Sequence, residues 1–168
     1  MRRGGRILGA RPVRTPLDRF SAARPAKPAR PCPFCAIARG EGPAQVVAED
    51  EATIAFLDRN PLLPGHVLLI PRAHVETLPE ADDATLAALM RRLRGLAAAI
   101  PVALGADGSF VAQNNIVSQS VPHLHFHVVP RWKGDKLFSR NLTWARVRYR
   151  EGEADTVAAK IRAAVAGL

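Results

Sequence analysis

No run in this chain approaches ~18 consecutive apolar residues, the length a bilayer-spanning helix needs. Also missing is the apolar stretch of ~7–15 residues that a secretory signal requires, since near the start only Ile7-Leu8 offers such a core. Cysteine is scarce: Cys32 and Cys35 are the two in 168 residues, so a disulfide framework is not expected. Acidic residues are nearly absent from the first thirty positions, where Asp18 stands against nine Arg and Lys. The formal net charge of +9 is concentrated there, and residues 31–168 carry a net of only +1. A basic balance produced this way describes a tail, and nucleic acid is not expected as a partner of the folded body. A cytoplasmic location is the matching expectation.

Residues 1–31 mix Arg with Pro12, Pro16, Pro25, Pro28 and Pro31 and show no helical or strand period. Such a segment buries too little apolar surface to offset its ordering entropy, so a disordered tail is expected. Its open readings are a disordered arm, an organelle-type presequence, translated sequence upstream of the true start, or an arm for nucleic acid. Residues 32–168 are long enough for one domain.

Within that domain, Ala44–Ala48 and Ala52–Asp58 read as a hairpin about the polar Glu49-Asp50-Glu51. His66–Pro71 is apolar on both faces, hence a central strand, and Ser109–Asn114 and His123–Pro130 read as two more. Asp82 or Asp83 caps a helix carrying Leu86, Leu89, Met90, Leu93, Leu96, Ala97 and Ile100, with Pro101 expected to limit it. Glu153–Val165 reads as a second helix. About five hairpin-connected strands and two helices make an α+β domain on an antiparallel sheet.

Three of the five histidines sit in His123-Leu124-His125-Phe126-His127. Alternation along a strand puts the three imidazoles on one face, ~6.5–7 Å apart, with Leu124, Phe126 and Val128 turned to the core. Such rings could flank a phosphate, one attacking and another donating a proton; they could equally clamp a metal, or simply lie on a half-exposed strand. Cys32-x-x-Cys35 leaves metal binding, redox chemistry or two unbound thiols open, although the βαβ setting of thioredoxin-like redox motifs is missing.

The flanks carry further motifs: Ser118-Gln119-Ser120-Val121 before the histidines, Gly65-His66-Val67-Leu68-Leu69-Ile70-Pro71-Arg72-Ala73-His74, Ala55-Phe56-Leu57-Asp58, and Cys32-Pro33-Phe34-Cys35-Ala36-Ile37. In this order they resemble the histidine triad (HIT) family, whose signature is three histidines alternating with apolar residues. The resemblance spans residues 32–131 and implies a HIT-like fold. It further implies a hydrolase that opens the α-phosphate P–N or P–O–P bond of purine nucleotides, such as nucleoside phosphoramidates or dinucleoside polyphosphates. The alternative is a non-catalytic, nucleotide-binding regulatory member.

By this resemblance His125 is the nucleophile, forming a nucleotidyl-histidine. His127 donates to the phosphate, and Gln119 and Ser120 cradle the developing charge, with Ser120 also passing a proton to the leaving group. His66 is the further active-site histidine. Asp58 binds the ribose hydroxyls, Phe56 and Phe34 line the base pocket, and Asn114 and Ser118 approach the phosphate. Many members carry Asn-x-Gly-x-x-x-Gly-Gln where this chain has the shorter, glycine-free Asn114-Asn115-Ile116-Val117-Ser118-Gln119. Cys32, Cys35, His74 and His123 match a zinc set, which as Cys₂His₂ is closed and structural. A homodimer is implied as well, in which Trp132 or Trp144 acts across the interface. After the triad, Arg131, Lys133, Lys136, Arg140, Arg146, Arg148 and Arg150 face only Asp135. They form either a solvated surface or a rim for a polyphosphate or acidic substrate.

Overall fold

A computed structural model describes residues 31–138 and 146–167. All of the expected tail but residue 31, and Arg140 and Trp144, lie outside the described residues. The elements are α1 (Pro33–Ala38), β1 (Val46–Glu49), β2 (Thr53–Leu57), β3 (Val67–Pro71), a 3₁₀ turn (Leu78–Glu80), α2 (Asp83–Leu104), β4 (Gly108–Gln113), β5 (Phe126–Arg131) and α3 (Glu153–Ala166). All strand pairs are antiparallel in the order β1-β2-β3-β5-β4, so the α+β sheet is as expected, with β3 at its centre. No helix among the described residues is long and apolar enough to cross a membrane.

Strand alternation gives the sheet two unlike faces. Ala55, Leu57, Val67, Leu69, Phe126 and Val128 point one way, into a core closed by Leu89, Leu93, Leu96 and Ile100 of α2 and Val157, Ala158 and Ile161 of α3. Facing the other way are Ile54, Phe56, Leu68 and Ile70, which pack against Phe34 and Ala38 of α1. Register places His127 opposite both Leu68 and Ala112, so the second histidine-bearing face is the one that α2 and α3 leave open.

Most strand ends differ from expectation by one or two residues, and two boundaries differ by more. Helix α2, capped by Asp82 accepting the Thr85 N–H at 2.7 Å, does not stop at Pro101 but continues to Gly105, whose φ of 63° ends it. A proline leaves the carbonyl four residues back without its helical donor. Here that carbonyl, on Ala97, accepts the Ser109 hydroxyl at 3.2 Å, which supplies the lost bond. The triad strand, in turn, begins at Phe126 and not at His123. Upstream, the Leu124 N–H donates to the Val75 carbonyl at 2.6 Å and the His123 N–H to the Val121 carbonyl at 2.9 Å, so this backbone is held outside the ladder.

Gly65, just ahead of His66, adopts φ of +93°, where side chains with a Cβ are strained. An added Cβ there would meet Leu104 Cδ1 at 2.2 Å and Pro130 Cγ at 3.4 Å. Gly65→Ala is therefore expected to destabilise the fold by about 1–3 kcal/mol. Urea unfolding measures this, and a midpoint unchanged from wild type would contradict the packing described.

Candidate functional site

The open face of the sheet carries a cavity of about 230 Å³ lined by Asp58, Asn60, Leu62, His66, Phe110, Ala112, Asn114, Ser118, Ser120, His125, His127 and Arg146. A larger groove of about 810 Å³ runs along α2 beside Arg91, Arg92 and Arg94, but it holds no histidine and none of the residues discussed below. Period-two alternation assembles the first cavity: His125 and His127 flank Phe126, while Phe110, Ala112 and Asn114 line up on and just beyond β4. Asp58 and His66 follow β2 and precede β3, where the Asp58 N–H donates to the His66 carbonyl at 2.9 Å.

Hydrogen bonds set how the rings lie. His125 Nδ1 is 2.7 Å from the His123 carbonyl oxygen. His66 Nε2 is 2.9 Å from His127 Nδ1, and His66 Nδ1 accepts the Leu62 N–H at 3.2 Å. The His125 and His127 ring centres are 5.0 Å apart. Burial pushes His66 down to about 3 and His127 down to about 4, and it lowers His125 as well. All three are thus neutral at pH 7. Burial moves Asp58 the other way, disfavouring its carboxylate, while Arg146 and His125 favour it. Asp58, His66 and His127 bring their donor atoms within 4.8 Å of one another, but the His66–His127 bond already uses one nitrogen of each ring.

A second cluster lies at the other end of the triad, where Cys32, Cys35, His74 and His123 gather their ligand atoms within 4.8 Å. His123 Nδ1 is 3.5 Å from Cys32 Sγ and 3.6 Å from Cys35 Sγ, and His74 Nδ1 is 3.2 Å from Cys35 Sγ. Bonds of ~2.3 Å to sulfur and ~2.05 Å to nitrogen give a tetrahedron with an S···N edge of ~3.6 Å, so the spacing suits a four-coordinate ion. His123 Nε2 donates to the Pro71 carbonyl at 2.9 Å, the outer-shell bond that orients a metal-binding imidazole. This cluster could hold a metal ion.

Three expected site residues lie elsewhere. Phe34 and Phe56 do not line the cavity: both are buried in the core beneath α1. Phe34 instead stands edge-on to His123 at 5.9 Å and to His125 at 5.3 Å, bracing the triad. Gln119 also stays out of the cavity, because its side chain is spent holding the loop. Its Nε2 donates to the Glu76 carbonyl at 2.6 Å, and its Oε1 accepts the Ile116 N–H at 2.8 Å. Trp132 bonds the Gly105 carbonyl of its own chain at 3.0 Å. Conversely, Asn60, Leu62, Phe110 and Ala112 were not expected in the lining, although Phe110 and Ala112 share alternation with Asn114, a signal that could have found them. Arg146, which also lines the cavity, belongs to the basic run for which a rim for a polyphosphate or acidic substrate is one of the two readings.

Comparison with known proteins gives the family. An uncharacterized HIT-like protein of Methanocaldococcus jannaschii is 42% identical over 106 residues, 62% of this chain and 81% of that protein. An adenylylsulfatase of Arabidopsis thaliana is 37% identical over 110 residues, covering 64% of this chain and 56% of its own. An adenosine 5′-monophosphoramidase of Schizosaccharomyces pombe is 36% identical over 102 residues, 60% of this chain and 74% of that one. Among solved structures, a zinc-bound histidine triad family protein from Mycobacterium smegmatis superposes with a TM-score of 0.69 at 36% identity, covering 82% of this chain and 94% of that one. The HIT domain model matches residues 39–134, and with these likenesses the chain belongs to the HIT domain family.

Proposed function

We propose that this protein is a nucleotide hydrolase that breaks the bond between the α-phosphorus of a purine nucleotide and its leaving atom, through a nucleotidyl-histidine on His125. The observation that carries the reading is a neutral His125 whose Nε2 has no hydrogen bond among the described residues, in a cavity shared with His127, Ser120 and Asp58. A carbonyl only accepts, so the His125 proton sits on Nδ1, against the His123 oxygen, and the Nε2 lone pair is available. The same logic runs through the neighbours. An amide N–H only donates, so His66 Nδ1 is bare and its Nε2–H donates to His127 Nδ1. His127 then carries its own proton on Nε2 as a ready donor.

The chemistry follows from these tautomers. The His125 Nε2 lone pair attacks the α-phosphorus, and the bond from phosphorus to the leaving nitrogen or oxygen breaks with its electron pair. The His127 Nε2–H and the Ser120 hydroxyl donate toward the phosphate oxygens and the departing atom. Water then attacks phosphorus, breaks the P–N bond to His125 and releases the mononucleotide. Imidazole suits the task because it is neutral, nucleophilic and a good leaving group once protonated. The relatives named adenylylsulfatase and monophosphoramidase support hydrolysis at an adenylate phosphorus.

We read the Cys/His cluster as a zinc site, supported by its S···N spacing and by the zinc-bound family member. Four protein ligands leave no open position, so zinc there supplies structure, tying α1 to the start of the triad.

Three outcomes test this reading. His125→Ala is expected to lower turnover of an adenylate by about a thousandfold or more, with no labelled nucleotide left on the protein after a rapid quench. Wild-type rates in that variant would overturn the mechanism. Cys32→Ser is expected to lose stoichiometric zinc in elemental analysis and to melt earlier; wild-type protein that purifies metal-free at full stability would remove the site. The third outcome concerns acid. His66 and His127 titrate at about 3 and about 4 in the fold, below the ordinary 6.5. Their contribution to stability is whole above pH 6.5 and is lost as pH falls through about 4 and then about 3. Asp58, raised by burial, acts in the opposite sense over the lower part of that range. Urea midpoints should drop on acidification, and His66→Gln should flatten the slope; an equally steep limb in the variant would refute this origin.

A further inference from the structure

We propose that Arg146 is a specificity-determining residue that binds an anionic leaving group, so that the preferred substrates are nucleotides whose α-phosphate is joined to a second oxyanion such as sulfate or phosphate. This rests on the hydrolase reading above and names its substrate class.

Arg146 lines the same cavity as Asp58, His66, His125 and His127. It is held there by its neighbours. The Val147 N–H donates to the Pro61 carbonyl at 2.8 Å, and the Tyr149 hydroxyl accepts the Gly65 N–H at 3.0 Å. These bonds strap residues 147–149 onto the loop that leads into His66, so Arg146 enters the cavity on a fixed stretch of chain.

Among the described residues Arg146 is the one permanent cation in that lining, whose histidines are neutral and whose carboxylate is Asp58. Among the described residues its guanidinium forms no ion pair, so its donors remain free for a ligand. The rest of the basic run is differently used. Arg131 is taken up by Asp135 through two hydrogen bonds, one of 2.8 Å, and neither Lys133, Lys136, Arg148 nor Arg150 lines the cavity.

Position within the cavity supports the assignment. In-line displacement puts nucleophile and leaving group on opposite sides of phosphorus. Arg146 lines the cavity together with His127 and Ser120, the groups that donate toward the departing atom, and its charge acts on His127. An amine must gain a proton to depart, and His127 or Ser120 has one to give. Sulfate or phosphate departs as an anion and gains chiefly from charge-assisted hydrogen bonds to a full positive charge.

The test uses two substrates with a common AMP moiety: adenosine 5′-phosphosulfate, with an anionic leaving group, and adenosine 5′-phosphoramidate, with a neutral one. The readout is the ratio of kcat/KM for the first to that for the second. Arg146→Ala is expected to lower this ratio about 10- to 100-fold, the usual worth of a charge-assisted hydrogen bond. Arg146→Lys should recover part of it, and Arg148→Ala, outside the cavity, should leave it at the wild-type value. An unchanged ratio in Arg146→Ala, whether both rates fall together or neither falls, overturns the inference alone. Wild-type protein inert toward both adenylates would overturn the hydrolase reading and this inference with it.

Discussion

One hydrogen bond, from the His125 ring to the carbonyl of His123, decides what the site can do. It selects the tautomer that leaves Nε2 bare, and it orients that nitrogen toward the cavity. The bond exists because His123 is not part of the sheet. Were residue 123 the first residue of β5, as simple alternation suggests, its carbonyl would be drawn toward ladder pairing. Held instead by the Leu124 bond to Val75, the backbone presents that oxygen to the ring two residues along. The late start of the strand is therefore a working part of the site.

His123 also joins two otherwise separate constructions. Its ring is wholly buried, with Nδ1 among the thiols and Nε2 on the Pro71 carbonyl at the end of β3. Its main-chain oxygen meanwhile holds the His125 ring. Phe34 wedges edge-on against both His123 and His125, so α1, the Cys/His cluster and the His125 imidazole form one packed unit. The N-terminal segment of the domain thus acts on the chemistry through position, without touching the cavity.

Much of this was legible in the chain because alternation is a local signal. A period of two puts His125 and His127 on one face, and the wholly apolar β3 can only be central. What escaped depended on distant partners. Pro101 should halt α2, but Ser109 from the next strand satisfies Ala97. Gln119 reads as a phosphate donor until Glu76 and Ile116 claim its amide. Arg146 arrives from beyond β5, and no local pattern marks it apart from its neighbours. The glycine-free loop is partly legible. The absent glycines predict altered backbone geometry, yet Ile116 and Ser118 adopt φ of 68° and 62°, the left-handed values glycine favours. Bonds from the Ile116 N–H to the Gln119 side chain and from the Leu78 N–H to the Asn115 side chain hold the loop in that strained form, and Ser118 still reaches the cavity.

The cavity's electrostatics also limit which chemistry is available. His66, His125 and His127 are stacked so closely that neighbouring ring centres lie 5.0 and 5.1 Å apart. Two imidazolium charges at ~5 Å would repel by about 3 kcal/mol even at an effective dielectric constant of ~20. With burial the larger cause, the trio stays neutral, His66 hydrogen-bonded to His127 and His125 to the His123 carbonyl, with one bare nitrogen and one N–H on the lining of the same cavity. A phosphoryl centre needs a nucleophile and a donor together, and this arrangement supplies both without storing charge. The permanent charge is carried by Arg146 in the same lining. A cation there disfavours protonation of His66 and His127, so it reinforces their neutrality while giving the cavity positive potential for an anionic group.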